Sequence, residues 1–264
     1  MQNSQKPLRF GGSAYVFSGE TEENLKAALI DYRDALEKDE TFSSAWIGLA
    51  DVYIRSGEYA QALAVMREAA IKSGNSPAVM EKLSEMENGI FIDSSGRDRR
   101  IEYRDDDGNL EFYLVYDFNP DGTMSRCSHY DADDTLVLYD VFSYDEQENL
   151  IRVDGFNPDG TPNGYAIHEY DELGRETYIL SYERDGTLSG YTEMEYDGND
   201  NKTKETFYNA DGSVWGYFQY EYRADGNVAR TTTYDADGNV TGYTEMEYDN
   251  AGNWIGEYTY QVEP

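Results

Sequence analysis

Residues 222–253 read YRADGNVARTTTYDADGNVTGYTEMEYDNAGN. A tyrosine stands four places ahead of glycine at Tyr222, Tyr234 and Tyr248, with intervals of 12 and then 14 residues. An aromatic followed by Asp, a small residue, Asp and Gly suits a hairpin loop whose last residue sits at positive φ. The stretches between, NVARTTTY and NVTGYTEMEY, are rich in Thr, Val and Tyr, which favour strands. Upstream the same mark begins at 208, 196, 182, 170, 156, 144, 130, 118, 104 and 92, with Asp134, Glu148 and Asp200 standing in for glycine. The 12 and 14 alternate through all thirteen marks, so the chain repeats every 26 residues as two similar sub-units. Connections this short leave no room for crossovers, and the spacing predicts an antiparallel β-meander of about a dozen strands.

The longer sub-units carry Gly164, Gly190, Gly216 and Gly242 at the 26-residue period. Glycine inside a strand marks a bulge or a close backbone approach. Alternation then divides each long strand into two faces. The drier one takes Leu188, Thr192, Met194 and Tyr196, and the other takes Tyr191, Glu193 and Glu195. That second face lines up a tyrosine column, Tyr165, Tyr191, Tyr217 and Tyr243, with Trp215 beside it, and a column of Glu169, Glu195, Glu221 and Glu247. On the short strands Arg126, Arg152, Lys204 and Arg230 recur at the same period, with Tyr178 in the remaining place. Pairing of these bases with the acidic column is expected, at a few tenths of a kcal/mol each. Tyrosine rings are flat and apolar with a polar rim, which suits a protein or a sugar, so Tyr165, Tyr191, Trp215, Tyr217 and Tyr243 form the candidate partner surface. The plainer reading makes the column the second packed face of a curled sheet.

The first ninety residues differ in kind. They hold nine basic and fourteen acidic side chains, whereas residues 91–264 hold twelve and thirty-nine. In AWIGLADVYIRSGEYAQALAVMREAA, residues 45–70, Trp46, Leu49, Ala50 and Tyr53 and then Ala62, Leu63, Met66 and Ala69 recur at helical spacing, with Gly57 between the two runs. A step of 34 residues back places Ala62 on Ala28, Met66 on Tyr32 and Ala69 on Ala35. The segment resembles a tetratricopeptide repeat, two antiparallel helices per unit. A last helix, Pro77 to Met86, follows. The fold class is therefore α+β and segregated: an N-terminal extension (1–20), tetratricopeptide-like helical hairpins (21–89) and the β-repeats (90–264). Fewer than three such repeats bury their faces poorly, which predicts a helical part stabilised by its neighbour rather than a deep peptide groove. It should cap the N-terminal edge of the sheet through Val79, Met80, Leu83, Ile90 and Ile92.

The marks YDELGRET and YDADGNVTGYTEMEYDNAGN resemble the YD repeats of Rhs-type bacterial proteins, over residues 92–264. That resemblance implies a long β-meander serving as structure or binding surface, not as catalyst. TFYNADGSVWGY is also similar to choline- or glucan-binding cell-wall repeats, which build cages from tryptophan; this chain has three Trp. The function expected is a non-enzymatic bacterial scaffold or protein-interaction module with a protein partner; the alternative is a surface carbohydrate- or cell-wall-binding protein.

Composition narrows the rest. A formal charge of −32 and a pI near 4.1 repel polyanions, so no nucleic-acid partner is expected. No run reaches the ~18 apolar residues of a membrane span. No basic n-region with an apolar core opens the chain, which points to the cytoplasm, or to the cell surface if a leader has been removed. The single Cys127 makes no intramolecular disulfide. His129 and His168 lie in different repeats without a nucleophile at a recognisable spacing, so no catalytic residue, metal ligand or cofactor is assigned. Asp-rich turns such as RDDDG allow only weak calcium binding, because none continues to a bidentate Glu.

Overall fold

A computed structural model describes residues 22–249 and 252–262. The 1–20 extension lies outside the described residues. Two compact units divide the chain, residues 1–140 and 141–264. The strands follow one another in sequence order from β1 to β14, and every described pairing is antiparallel. The segregated α+β class and the meander read from the turn spacing are both present.

The first unit opens with α1 (Glu22–Lys38), α2 (Ser43–Arg55), α3 (Tyr59–Lys72) and α4 (Pro77–Glu87). Gly57, at φ +75°, ends α2: Glu58 N–H donates to the Tyr53 carbonyl and Gly57 N–H to that of Ile54, the pairing of a left-handed helix stop. Pro77 opens α4, where a missing N–H costs nothing. Ala50 and Ala62 are fully buried and let the helices approach, with Trp46, Tyr53 and Met66 filling the space beside them. Beyond the helices come β1 (Ile90–Ile92), β2 (Asp98–Arg104), β3 (Leu110–Phe118), β4 (Met124–Asp131) and the start of β5 (Leu136–Tyr144).

The helices do meet the first strand, but through a different side chain from those expected. Phe91 is buried with Val79, Leu83 and Met86 in the helical core, while Ile90 and Ile92 are only partly covered. A strand turns alternate residues to opposite faces, so only the middle residue of a three-residue strand reaches the helices. Met80 is 40% exposed, because it lies off the stripe that runs along the i, i+4, i+7 row of α4.

The second unit completes β5 and adds β6 (Leu150–Phe156), β7 (Pro162–Tyr170), β8 (Glu176–Glu183), β9 (Leu188–Tyr196), β10 (Lys202–Asn209), β11 (Val214–Tyr222), β12 (Val228–Asp235), β13 (Val240–Tyr248) and β14 (Trp254–Gln261). All thirteen turns share one geometry. In the turn after Tyr234, Asp235 N–H donates to the Asn239 carbonyl and Gly238 N–H to that of Asp235. The fourth loop residue has positive φ in every one, including Asp134, Glu148 and Asp200. This is the three-residue hairpin loop that ends in a left-handed residue.

Two side-chain recipes hold these loops. In one, the first Asp caps its own turn: Asp197 Oδ1 accepts N–H bonds from Asn199 and Asn201, and Oδ2 accepts the Asn201 side-chain amide. In the other, Asn157 donates to Thr161 Oγ1, and Asp159 accepts both the Thr161 backbone N–H and its hydroxyl. Bonds to the ionised form hold these carboxyls below their ordinary range, chiefly the Asn201 side chain at Asp197 and the Thr161 side chain at Asp159.

The recurrent glycines mark both features expected of them. The ladder register skips Ser189 beside Gly190, Trp215 beside Gly216 and Thr241 beside Gly242. A Cβ on Gly164, Gly190, Gly216 or Gly242 would lie 2.7–2.8 Å from the carbonyl oxygen of Tyr182, Tyr208, Tyr234 or Tyr260. Each long strand is therefore bulged and pressed against its neighbour at one point.

Two sets of substitutions test this account by urea denaturation. Phe91→Ala should cost about 3–5 kcal/mol as a core truncation, whereas Met80→Ser should stay within about 0.5 kcal/mol. Gly190→Ala should cost about 1–3 kcal/mol because a backbone oxygen blocks the new methyl. Glu148→Gly should stabilise the chain by about 0.5–1 kcal/mol by relieving a left-handed residue, net of glycine's greater freedom when unfolded.

Candidate functional site

The tyrosine column is a ladder of stacked pairs. Each member lies on a long strand and meets an aromatic on the next short strand, 17 residues later: Tyr165 on Tyr182, Tyr191 on Tyr208, Tyr217 on Tyr234 and Tyr243 on Tyr260. Ring centroids are 4.5–4.7 Å apart with interplanar angles of 8–23°. In the first unit Tyr113 stacks on Tyr130 in the same way. The short-strand partners are the aromatics of every second turn mark, so the 12-residue spacing places them opposite the column.

The periodic cations cover the other side. Arg152 lies over Tyr165 at 4.0 Å, Lys204 over Tyr217 at 4.7 Å and Arg230 over Tyr243 at 3.8 Å; in the first unit Arg100 lies over Tyr113 at 3.6 Å and Arg126 over Tyr139 at 3.7 Å. The expected pairing of these bases with the acidic column holds for Lys204, which reaches Glu195 at 3.5 Å. Arg152 pairs with Asp154 on its own strand, and Arg230 reaches Glu245. The ring quadrupole, rather than the glutamate column, sets where the bases lie.

Trp215 stands apart from the column. It is the skipped residue at the Gly216 bulge, 70% exposed, and its ring meets Phe207 edge-on. Phe207 alternates with Tyr208, so it belongs to the opposite face from the stacked pairs. A bulge re-aims a side chain, which simple alternation does not capture.

The aromatics of the other marks, at the ends of long strands, do different work. The hydroxyls of Tyr170, Tyr196, Tyr222 and Tyr248 donate to the carbonyls of Leu150, Glu176, Lys202 and Val228 at 2.8–2.9 Å, each 20 residues back. Each tyrosine thus ties the end of its strand to the beginning of the preceding short strand.

Two clefts occur in the first unit. A hollow of about 680 Å³ is lined by Arg55, Arg99, Arg100 and Arg126 with Tyr59 and Asp117. Its arginines already have acceptors in Asp51, Asp93, Glu102 and Ser128. Burial pushes the Asp51 and Asp117 carboxyls up; Asp93 is also buried, but its bonds from Arg99 and the Arg97 N–H outweigh that and hold it down. This cluster ties the α2 end to the β1–β2 turn, where Asp51 accepts the Ser94 N–H at 2.6 Å. A second groove, about 410 Å³, lies across α1, α2 and α3; Leu36, Trp46, Leu49 and Val65 form its floor, with Glu68 and Lys72 on its rim. Tyr53, also in this groove, accepts a bond from Arg33 at 2.7 Å.

The remaining candidate residues are engaged locally. His168 Nδ1 is 2.6 Å from Glu176. Burial, with Asp140 and Asp117 nearby, pushes the Cys127 thiol up to about 11. Among the described residues no three His, Cys, Asp or Glu side chains converge on a metal position, and no helix is long and apolar enough to cross a membrane.

Residues 21–83 match the family model of the tetratricopeptide repeat, as the helical spacing implies. No curated protein matches the chain. Among solved structures, TcdB2–TccC3 without its hypervariable C-terminal region is similar over 58% of this chain at 13% identity, with a TM-score of 0.31; the chain spans only 10% of that one. A porin-like protein from Bacteroides uniformis is similar over 56% of this chain and 86% of its own, at 13% identity and a TM-score of 0.33.

A double-mutant cycle checks the ladder. Arg230→Met should lower stability by about 0.5–1 kcal/mol, and that loss should vanish when Tyr243 is already leucine.

Proposed function

We propose that the chain is a non-enzymatic protein-interaction scaffold whose helical hairpins receive a segment of a partner protein. The observation that carries this reading is the groove across α1–α3, an apolar floor with a charged rim, in a region that matches the tetratricopeptide repeat. Tetratricopeptide helices commonly receive partner proteins, and an apolar groove ringed by charge supplies burial and register together. The β-ladder suits a supporting role. Its tyrosine faces are taken up by stacking partners, which leaves little free ring surface for a sugar and favours the protein partner over the carbohydrate alternative. A Cys127 held as a thiol and a histidine engaged by a glutamate support the non-enzymatic reading.

The test is selection of peptides from a displayed library on the immobilised full chain. Enriched peptides that lose at least about ten-fold in affinity to Val65→Glu, a change of about 1.4 kcal/mol, in a variant whose melting temperature is retained, support the groove. Peptides that bind this variant as well as the unaltered chain, or no enrichment at all, overturn it.

A further inference from the structure

The tyrosine ladder has a step at which the period supplies no basic residue. Tyr113, Tyr139, Tyr165, Tyr217 and Tyr243 each have an arginine or lysine of the chain over the ring, at 3.6–4.7 Å. For Tyr191 the corresponding position, 26 residues after Arg152 and 26 before Lys204, is Tyr178. Tyr178 pairs across the strands with Glu193 and donates its hydroxyl to Oε1 at 2.6 Å. Tyr208, stacked on Tyr191 with centroids 4.5 Å apart, donates to Oε2 at 3.1 Å. Both carboxylate oxygens thus accept hydroxyl bonds, but no basic side chain meets this carboxylate among the described contacts. The nearest cation of the ladder, Lys204, is committed to Glu195 and Tyr217.

We propose that this step binds a guanidinium group supplied from outside the chain, stacked on Tyr191 and facing Glu193. Four of the five cations that the chain places on its own tyrosines are arginines, so the ladder's spacing accommodates a planar cation lying on a ring. Hydroxyl donors satisfy the hydrogen-bonding capacity of Glu193 without neutralising it, and a cation arriving there gains both the carboxylate and the ring face. Tyr178, Tyr191, Glu193 and Tyr208 are all half-buried, which keeps the step reachable from solvent while reducing the screening of its charge. The net charge of −32 raises the concentration of cations around the whole chain. The site is separate from the helical groove and stands or falls without it.

Titration of the isotope-labelled full chain, followed by amide chemical shifts, tests the assignment. The probes are N-acetyl-arginine N-methylamide, its uncharged citrulline counterpart and methylguanidinium. The arginine probe should produce saturable shifts confined to the amides around Tyr178, Tyr191, Glu193 and Tyr208, and the citrulline probe should not. Tyr178→Arg gives the step its own cation and should abolish binding. Glu193→Gln and Tyr191→Leu should each weaken binding about ten-fold or more, which keeps the question open to test if the arginine variant does not fold. Tighter binding of the arginine probe than of methylguanidinium identifies a peptide side chain as the source; equal binding identifies any small guanidinium. Equal shifts from citrulline, shifts spread evenly over the acidic turns, or undiminished binding by Tyr178→Arg would overturn the proposal.

Discussion

The β-repeats depend on side chains pairing across neighbouring strands, because they have almost no interior. In the second unit, apart from Gly216 and Gly242, only Met194 and Thr206 are buried among the described residues. A sheet without a packed core still has to exclude water from its ladder bonds and fix its register. Stacked tyrosines with a cation on the far side meet both needs, since each ring shields its neighbour and fits only one partner position. The bulge glycines belong to the same device. Gly190 precedes Tyr191 and sits against the Tyr208 carbonyl, so the absence of a side chain there brings the two stacked rings close.

The helical part is built on the opposite principle. Its core gathers Leu25, Leu29, Trp46, Leu49, Met66, Val79 and Leu83, and borrows Phe91 from the first strand. Two repeats leave one apolar face short of a partner, and a single aromatic from the adjoining strand fills much of that gap. Tyr59 packs edge-on against Phe91 and donates to the Arg99 carbonyl, so the join between helix and strand combines packing with a specified hydrogen bond.

Much of this was legible in the order of residues. Turn positions, strand count and bulged glycines follow from a period that admits one backbone solution, and even Asp134, Glu148 and Asp200 take the left-handed place reserved for glycine. Three features were not legible. Phe91 replaced Ile90 and Ile92 at the helix contact because the face of a three-residue strand depends on where the strand begins. Trp215 left the tyrosine column because a bulge breaks alternation at the residue in question. The stacking partners escaped notice because they lie 17 residues away, a distance set by loop length and bulge together; the recurrence of an aromatic at that offset was the available signal. The floor of the helical groove, from Leu36 to Val65, emerges only once three helices are placed side by side.

The alternation of 12 and 14 has a bearing on how such a chain changes in length. An aromatic that follows the shorter interval stacks, and one that follows the longer interval anchors a carbonyl through its hydroxyl. Removal or insertion of a single hairpin strand would exchange these duties for every aromatic downstream and set hydroxyls against rings. A loss or gain of 26 residues keeps each aromatic in its own trade. The ladder is thus quantised: its heritable unit of growth is the strand pair, and lengths in between are excluded by the side chains even though the backbone hydrogen bonds would accept them.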